Sequence, residues 1–187
     1  MKSNDKLSDE KLVELVRSQD KEAYADIVYR YQEKLLRYAN YILADDQLSQ
    51  DIVQTAFIKA YQNLYGFDTK KKFSSWIYRI VHNEAINTIK KNKKTILLET
   101  DHWHQISSNE NLEDNYNQKE LKEAIRKSVN KLSVKYKAPI SLFYLEDRSY
   151  EEISDILKLP ISTVGTRISR AKSLLKTILE KGGSHEQ

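Results

Sequence analysis

Apolar residues recur at three- and four-residue steps along nearly the whole chain, and strand-type alternation is almost absent. The pattern predicts an all-α protein. Ser8 caps a first helix whose apolar side is Leu12, Val13 and Val16, and Asp20 caps a longer one reaching about Leu43. In that second helix Tyr24, Ile27, Val28, Tyr31, Leu35, Tyr38 and Ile42 form the stripe. Ala44-Asp45-Asp46 reads as a turn, a third helix covers about Leu48 to Leu64, and Gly66 to Lys72 is a polar loop. A fourth helix starts near Phe73 and ends in lysines around Lys93. After a connector the periodicity resumes over about Gln118–Lys131, Val134–Leu145 and a closing pair from Tyr150 to Glu180. No internal repeat is visible.

At 100° per residue the third helix places Ile52, Val53, Ala56, Phe57, Ala60 and Leu64 on one side. Asp51, Gln54, Thr55, Ile58 and Gln62 gather on the other. Ile58 is an apolar side chain among polar ones, which fits a partner-binding face and fits a scattered exposed isoleucine as well.

The fourth helix buries Phe73, Trp76, Ile77, Ile80 and Val81, while Arg79, Asn83, Asn87, Lys90 and Lys94 line another face. Cations hold phosphates, and an asparagine amide can both donate to and accept from a base edge. Beside this face lie Lys70, Lys71 and Lys72 and the aromatics Tyr65, Phe67, Phe73 and Trp76. Cations and aromatic rings together suit an unpaired strand, on whose bases a ring can stack. Phe73 and Trp76 read as core, and the Asn and Lys file suits a solvated surface equally well.

Near the C-terminus Ser149-Tyr150-Glu151-Glu152 spells a capping box opening a short helix on Ile153, Ile156 and Leu157. Pro160 stops it, and Ser162 is placed to cap the next helix, whose buried stripe is Val164, Ile168, Ala171, Leu175 and Ile178. Ser162, Thr163, Thr166, Arg167, Ser169 and Arg170 face away. A short helix, a tight turn and a second helix with Thr and Arg on its exposed N-terminal half is the layout of a major-groove reader.

Charge divides the chain. From Thr95 to Tyr116 there is no Lys or Arg but there are Glu99, Asp101, Glu110, Glu113 and Asp114, so this segment carries −5 and the remainder +9. Two small basic helical domains, residues 1–94 and 118–187, joined by a flexible acidic linker over 95–117, is the simplest organisation. Cysteine is absent from the 187 residues, which excludes disulfides and thiolate metal sites and suits a reducing cytosol. No stretch approaches the roughly 18 apolar residues a bilayer span needs, and Met1 to Leu12 has no signal-peptide core, so a cytoplasmic protein is expected. Asp101-His102-Trp103-His104 is a poor ligand set, with i,i+2 histidines and no second cluster. Neither a phosphate loop nor a nucleophile elbow nor a coherent acid pair appears. The expectation is no enzyme, no metal and no cofactor.

Three segments carry a family resemblance. Asp51 to Tyr61 resembles the D-x-x-Q-x-x-F-x-x-A-Y signature of extracytoplasmic-function RNA polymerase sigma factors. Phe73 to Asn83 resembles their F-x-x-W-L-Y-R-I-A-x-N, and Leu145 to Lys172 resembles their C-terminal helix-turn-helix motif. The match is ordered, correctly spaced and covers about residues 9 to 180. It implies that 1–94 is sigma region two and 118–187 region four. It implies that Asp51, Gln54, Thr55 and Ile58 grip the clamp helices of core RNA polymerase. The family's −10 element would then meet Phe67, Lys70, Lys71, Lys72, Arg79, Asn83, Asn87 and Lys90, with the loop holding a flipped base. Its −35 element would meet Ser162, Thr163, Thr166, Arg167 and Arg170. The partners implied are core polymerase (clamp helices and flap), promoter DNA and a membrane-anchored anti-sigma factor. Three residues depart from the pattern: Lys158 stands where a turn glycine is common, Ser162 replaces the glycine of G-T-V, and Gly165 replaces a commonly basic or polar residue near the DNA-facing helix start. Two other readings stay open on the residues alone: a helix-turn-helix regulator that binds duplex DNA without polymerase, and an enzyme acting on DNA or RNA.

Overall fold

The computed structural model describes residues 6–18, 20–98 and 126–182, the side chains of 93–98 and 181–182 excepted. Seven α-helices are labelled in order: α1 Asp9–Ser18, α2 Tyr24–Leu43, α3 Asp46–Gln62, α4 Phe73–Leu98, α5 Val134–Tyr144, α6 Tyr150–Leu157 and α7 Ile161–Gly182. Residues 126–130 are helical as well, and no strand occurs among the described residues.

The caps set the boundaries. The Ser8 hydroxyl accepts from the Lys11 amide at 3.3 Å at the start of α1. Asp20 accepts from the Ala23 amide at 3.2 Å, capping a 3-10 turn, Lys21–Ala23, that leads into α2. Ala44 closes α2 in the left-handed region at φ 56°, and Asp45 caps α3 by accepting from Leu48 at 2.9 Å. Helix α3 ends at Gln62, so Leu64 lies in a separate 3-10 turn, Leu64–Gly66, where it is still buried. Helix α4 continues to Leu98, past the lysines where it was expected to end.

The start of helix α4 is met from another helix. Its first amide, Phe73 N–H, is met by Glu10 of α1 at 2.9 Å, so a carboxylate from 63 residues upstream satisfies one of the orphan donors of the helix start. Helix α5 carries Pro139 in its interior, which deletes one intrahelical hydrogen bond. The capping box of α6 is complete, Glu152 N–H to Ser149 Oγ at 3.2 Å and Ser149 N–H to Glu152 Oε2 at 3.0 Å. Helix α7 begins at Ile161, and the Pro160 carbonyl accepts from Val164 at 3.1 Å, so Ser162 lies inside the first turn rather than at the cap expected of it.

One apolar cluster runs through both halves. Leu12, Ile27, Leu35, Tyr38, Phe73, Ile77 and Tyr78 share it with Ala138, Leu142, Ile153, Ile156, Val164 and Ile168. Helix α4 lies against α6, and α2 against α5. A smaller cluster of Leu132, Ile140 and Ala171 completes the C-terminal half. The acidic segment and the Gln118–Lys131 helix expected before α5 fall mostly outside the described residues.

Candidate polymerase and nucleic-acid interface

Helix α3 is anchored by Ile52, Val53, Ala56, Phe57 and Ala60, all buried, which fixes the opposite side outward. Asp51, Gln54 and Ile58 are exposed and Thr55 half-buried. Ile58 keeps 52% of its surface open to solvent, and Tyr61 and Tyr65 nearby in sequence are also exposed. The helix is fixed to its neighbours by the Tyr24 hydroxyl, which donates to the Phe57 carbonyl at 2.7 Å, and by a Lys59–Glu84 ion pair at 2.7 Å.

The loop before α4 is less free than its polar composition predicts. Arg17 of α1 donates through Nε to the Leu64 carbonyl at 2.9 Å, and its Nη2 reaches the carbonyls of Leu64 and Phe67. The Tyr65 hydroxyl returns a bond to the Arg17 carbonyl at 3.0 Å. Phe67 itself is buried, edge-on to Phe73 at 5.5 Å between centroids and beside Trp76 at 5.0 Å. This corrects the expectation that Phe67 offers its ring to a base: the Phe73 and Trp76 rings enclose it and make it the loop's root. Only the tip stands clear, with Lys70 and Lys71 exposed on an Asp68 turn.

Along α4, Asn83, Asn87 and Lys90 are exposed in one file, as the spacing predicts. Arg79 and Lys72 are not free. Arg79 Nη2 lies 2.5 Å from Asp155 Oδ1 and its Nε donates to the Asp155 carbonyl at 3.0 Å, both on α6. Lys72 Nζ is 3.2 Å from Glu152.

The two halves also meet at a buried carboxylate, Glu146, whose side chain is 1% exposed. Arg37 of α2 grips it with two bonds, Nε to Oε1 at 2.8 Å and Nη2 to Oε2 at 3.0 Å. The Tyr78 hydroxyl of α4 adds a third at 2.5 Å, and the Arg148 guanidinium lies 4.6 Å from the Tyr78 ring centre. Hydrogen bonding to Glu146 holds the Arg37 guanidinium above its ordinary range, while burial chiefly, then Glu146, pushes Tyr78 up. Tyr78 is therefore a neutral donor. One turn further along the same side of α4, burial lowers His82 from 6.5 to about 4, and its Nδ1 shares a hydrogen bond with the Tyr38 hydroxyl at 2.9 Å.

At the start of α7, Ser162, Thr166 and Arg170 are exposed, and Thr163 and Arg167 half-buried. The Thr166 hydroxyl bonds back to the Ser162 carbonyl at 2.9 Å. Gly165 does not face outward with them. A Cβ there would stand 3.4 Å from the Tyr150 ring, so its departure from the family pattern bears on α6–α7 packing. Lys158 holds the turn in the left-handed region at φ 54°, the backbone that a glycine adopts without strain.

Glu10, Arg17, Arg37 and Glu146 were invisible to sequence reasoning, since periodicity marks which side of a helix is buried but not which remote residue meets it. Among the described residues no group of three or more His, Cys, Asp or Glu is placed to hold a metal ion, and His102 and His104 lie outside them. No helix among the described residues is long and apolar enough to cross a membrane.

The chain matches the Sigma-70 region 2 family over residues 27–95 and the Sigma-70, region 4 family over residues 122–175. It is 36% identical over 175 residues to the ECF RNA polymerase sigma factor SigW of Bacillus subtilis, covering 89% of this chain and 94% of that one. Against the ECF RNA polymerase sigma-E factor of Escherichia coli it is 32% identical over 185 residues, covering 92% and 94%. Two solved structures share the fold. One is the sigma factor RpoE in complex with the anti-sigma factor NepR from Bartonella quintana, at 20% identity and a TM-score of 0.72 over 84% of this chain and 96% of that one. The other is CnrH in complex with the cytosolic domain of CnrY, at 22% identity and a TM-score of 0.69 over 92% and 97%. Two sigma-70 regions in order, with sequence identity running through nearly the whole length of both chains, show that this chain belongs to the ECF RNA polymerase sigma factors.

Proposed function

We propose that this sigma factor, which directs promoter-specific transcription initiation by RNA polymerase, divides that task between residues 1–94 and 118–187, with 95–117 as the tether. Asp51, Gln54, Thr55 and Ile58 take the polymerase clamp. Lys70, Lys71, Lys72, Arg79, Asn83, Asn87 and Lys90 take the −10 element, on a loop whose rigid root is Phe67. Ser162, Thr163, Thr166, Arg167 and Arg170 take the −35 element. The protein performs no catalysis itself, acts in the cytoplasm and is restrained by an anti-sigma factor anchored in the membrane. The RpoE–NepR complex supports an anti-sigma factor as a partner.

The observation that carries the reading is the exposure of Ile58 beside Asp51 and Gln54 on a helix whose other side is fully committed to the core. An isoleucine half open to water gains on the order of 1 kcal/mol when a partner covers it. The test mixes the protein with sigma-free core polymerase and a promoter isolated from genomic fragments by that mixture. Wild type should start transcripts at one site. Ile58→Lys should lose polymerase binding with helicity unchanged. Arg170→Ala should keep polymerase binding and lose discrimination among −35 variants, by about 1–3 kcal/mol if Arg170 reads a base. Normal holoenzyme formation by Ile58→Lys would remove α3 from the polymerase interface.

A further inference from the structure

The segment that leads into α4 carries two aromatic residues two positions apart, and the fold treats them oppositely. Phe67 is buried under Phe73 and Trp76, whereas Tyr65 is 71% exposed. Exposure alone would mean little, but the Tyr65 ring is also fixed. Its hydroxyl donates to the Arg17 carbonyl at 3.0 Å, one of the last carbonyls of α1, which a helix leaves without intrahelical partners. The Arg17 guanidinium answers through Nε and Nη2 on the carbonyls of Leu64 and Phe67, to either side of Tyr65 in sequence. The turn and the end of α1 therefore brace each other from both directions. Gly66 comes next, and beyond its chain neighbours no atom of the described residues stands within 4 Å of where a Cβ would be. Lys70 and Lys71 are exposed at the tip of the same loop.

We propose that Tyr65, oriented by Arg17, is the ring on which an unpaired base of the opened −10 element stacks, with Lys70 and Lys71 on the neighbouring phosphates. The inference rests on the assignment of this loop to the −10 element. Every base has a π-face, so an open tyrosine ring beside cations binds a single strand. The contact exists only once the base has left the duplex, so it favours the open form over the closed one. A mobile side chain loses rotamer freedom when it binds. Tyr65 has lost that freedom in advance, which leaves more of the contact energy for the strand. Polymerase is the other partner an exposed tyrosine would suit. Tyr65, however, lies past the end of α3, in the Leu64–Gly66 turn, and is tied to α1 rather than to the side that carries Ile58. Tyr61, the exposed ring that α3 does carry, already leans edge-on against Tyr24 at 4.9 Å.

The test uses holoenzyme assembled on sigma-free core polymerase and the non-template −10 strand of the recovered promoter. Oligonucleotides of about 20 nucleotides are compared, intact or with each base in turn replaced by an abasic site. Tyr65→Ala should weaken binding of the intact strand about tenfold. On a strand that lacks one particular base, the same substitution should cost less than about twofold, the signature of two groups that act on each other. A general loss of stability would weaken every strand alike and show no such position. Tyr65→Phe keeps the ring and should retain the coupling. Arg17→Met, which keeps the stem and removes the donors, should lower the coupling although the Tyr65 ring is present, and Arg17→Lys should fall between. Absence of any coupled position overturns the proposal. So does weaker assembly of Tyr65→Ala with core polymerase at unchanged strand affinity, which would give the ring to polymerase. Undiminished coupling in Arg17→Met overturns the positioning role of Arg17. Replacing Lys70 and Lys71 together by Gln separates this inference from the reading beneath it. Unchanged strand affinity there defeats the assignment of the loop to the −10 element, whereas reduced affinity without a base coupled to Tyr65 defeats only the stacking.

Discussion

His82 lies between α4 and α2 with its Nδ1 turned to Tyr38, and burial keeps it neutral to about pH 4. The unfolded chain binds a proton near 6.5 that the folded chain refuses, so stability is complete above about 6.5 and falls as pH drops toward 4. One proton across that window is worth up to about 3 kcal/mol. Replacing His82 by Gln, whose amide can donate to or accept from Tyr38, should flatten the decline. As pH falls from 7 to about 4.5 the urea midpoint of wild type should drop relative to that of the Gln variant, whatever their gap at pH 7, because wild type loses the additional stability. Parallel curves would place His82 in contact with solvent. At this scale the sequence was readable where backbone chemistry speaks: Lys158 at a glycine position does adopt φ 54°. It was not readable where a side chain meets a remote neighbour. Gly165 was expected near the DNA-facing helix start and meets Tyr150, and Phe67 was expected to meet a −10 base and is enclosed by Phe73 and Trp76.

Helices were legible because their stripes and caps are local. The Ser8, Asp45 and Ser149 caps all lie within a turn of the amides they meet. Helix α4 is different, for its start is capped by Glu10 across the bundle. That bond ties the position of the family motif in α4 to α1, a helix outside the residues that match the region 2 family. Glu10→Ala should cost about 1 kcal/mol, as loss of a helix cap does. Hydrogen exchange should report it at the Phe73 amide first, while Glu14→Ala on the exposed side of α1 should leave that amide unchanged. Equal protection of Phe73 in both variants would mean that solvent caps the helix. Arg17 plays the corresponding part for the loop, holding the carbonyls of Leu64 and Phe67. A charged residue in the last turn of a helix gives no sequence signal of such a role.

Over the whole molecule, charge and composition suggested two modules and a tether, but the buried residues on either side of 99–125 form one cluster. Periodicity could not reveal this, because Ile153 and Ile156 need an apolar partner and do not specify whose. Sharing a core has a measurable result. Leu142, fully buried in the C-terminal half, belongs to the same cluster as Leu35 and Tyr78. Leu142→Ala should cost about 2–5 kcal/mol. In thermal unfolding followed by amide exchange, the loss should appear in α2 and α4 as well as α5. Loss confined to residues 126–182 would show two independently stable units.

The shared cluster also gives folding an order in time. Leu35, Tyr38 and Ile77 leave the ribosome before Leu142, Ile153 and Ile168, which belong to the same cluster. The first half is therefore made with part of its apolar surface still waiting for the residues that complete the core. A chain cut short before α5 is left with that surface in water.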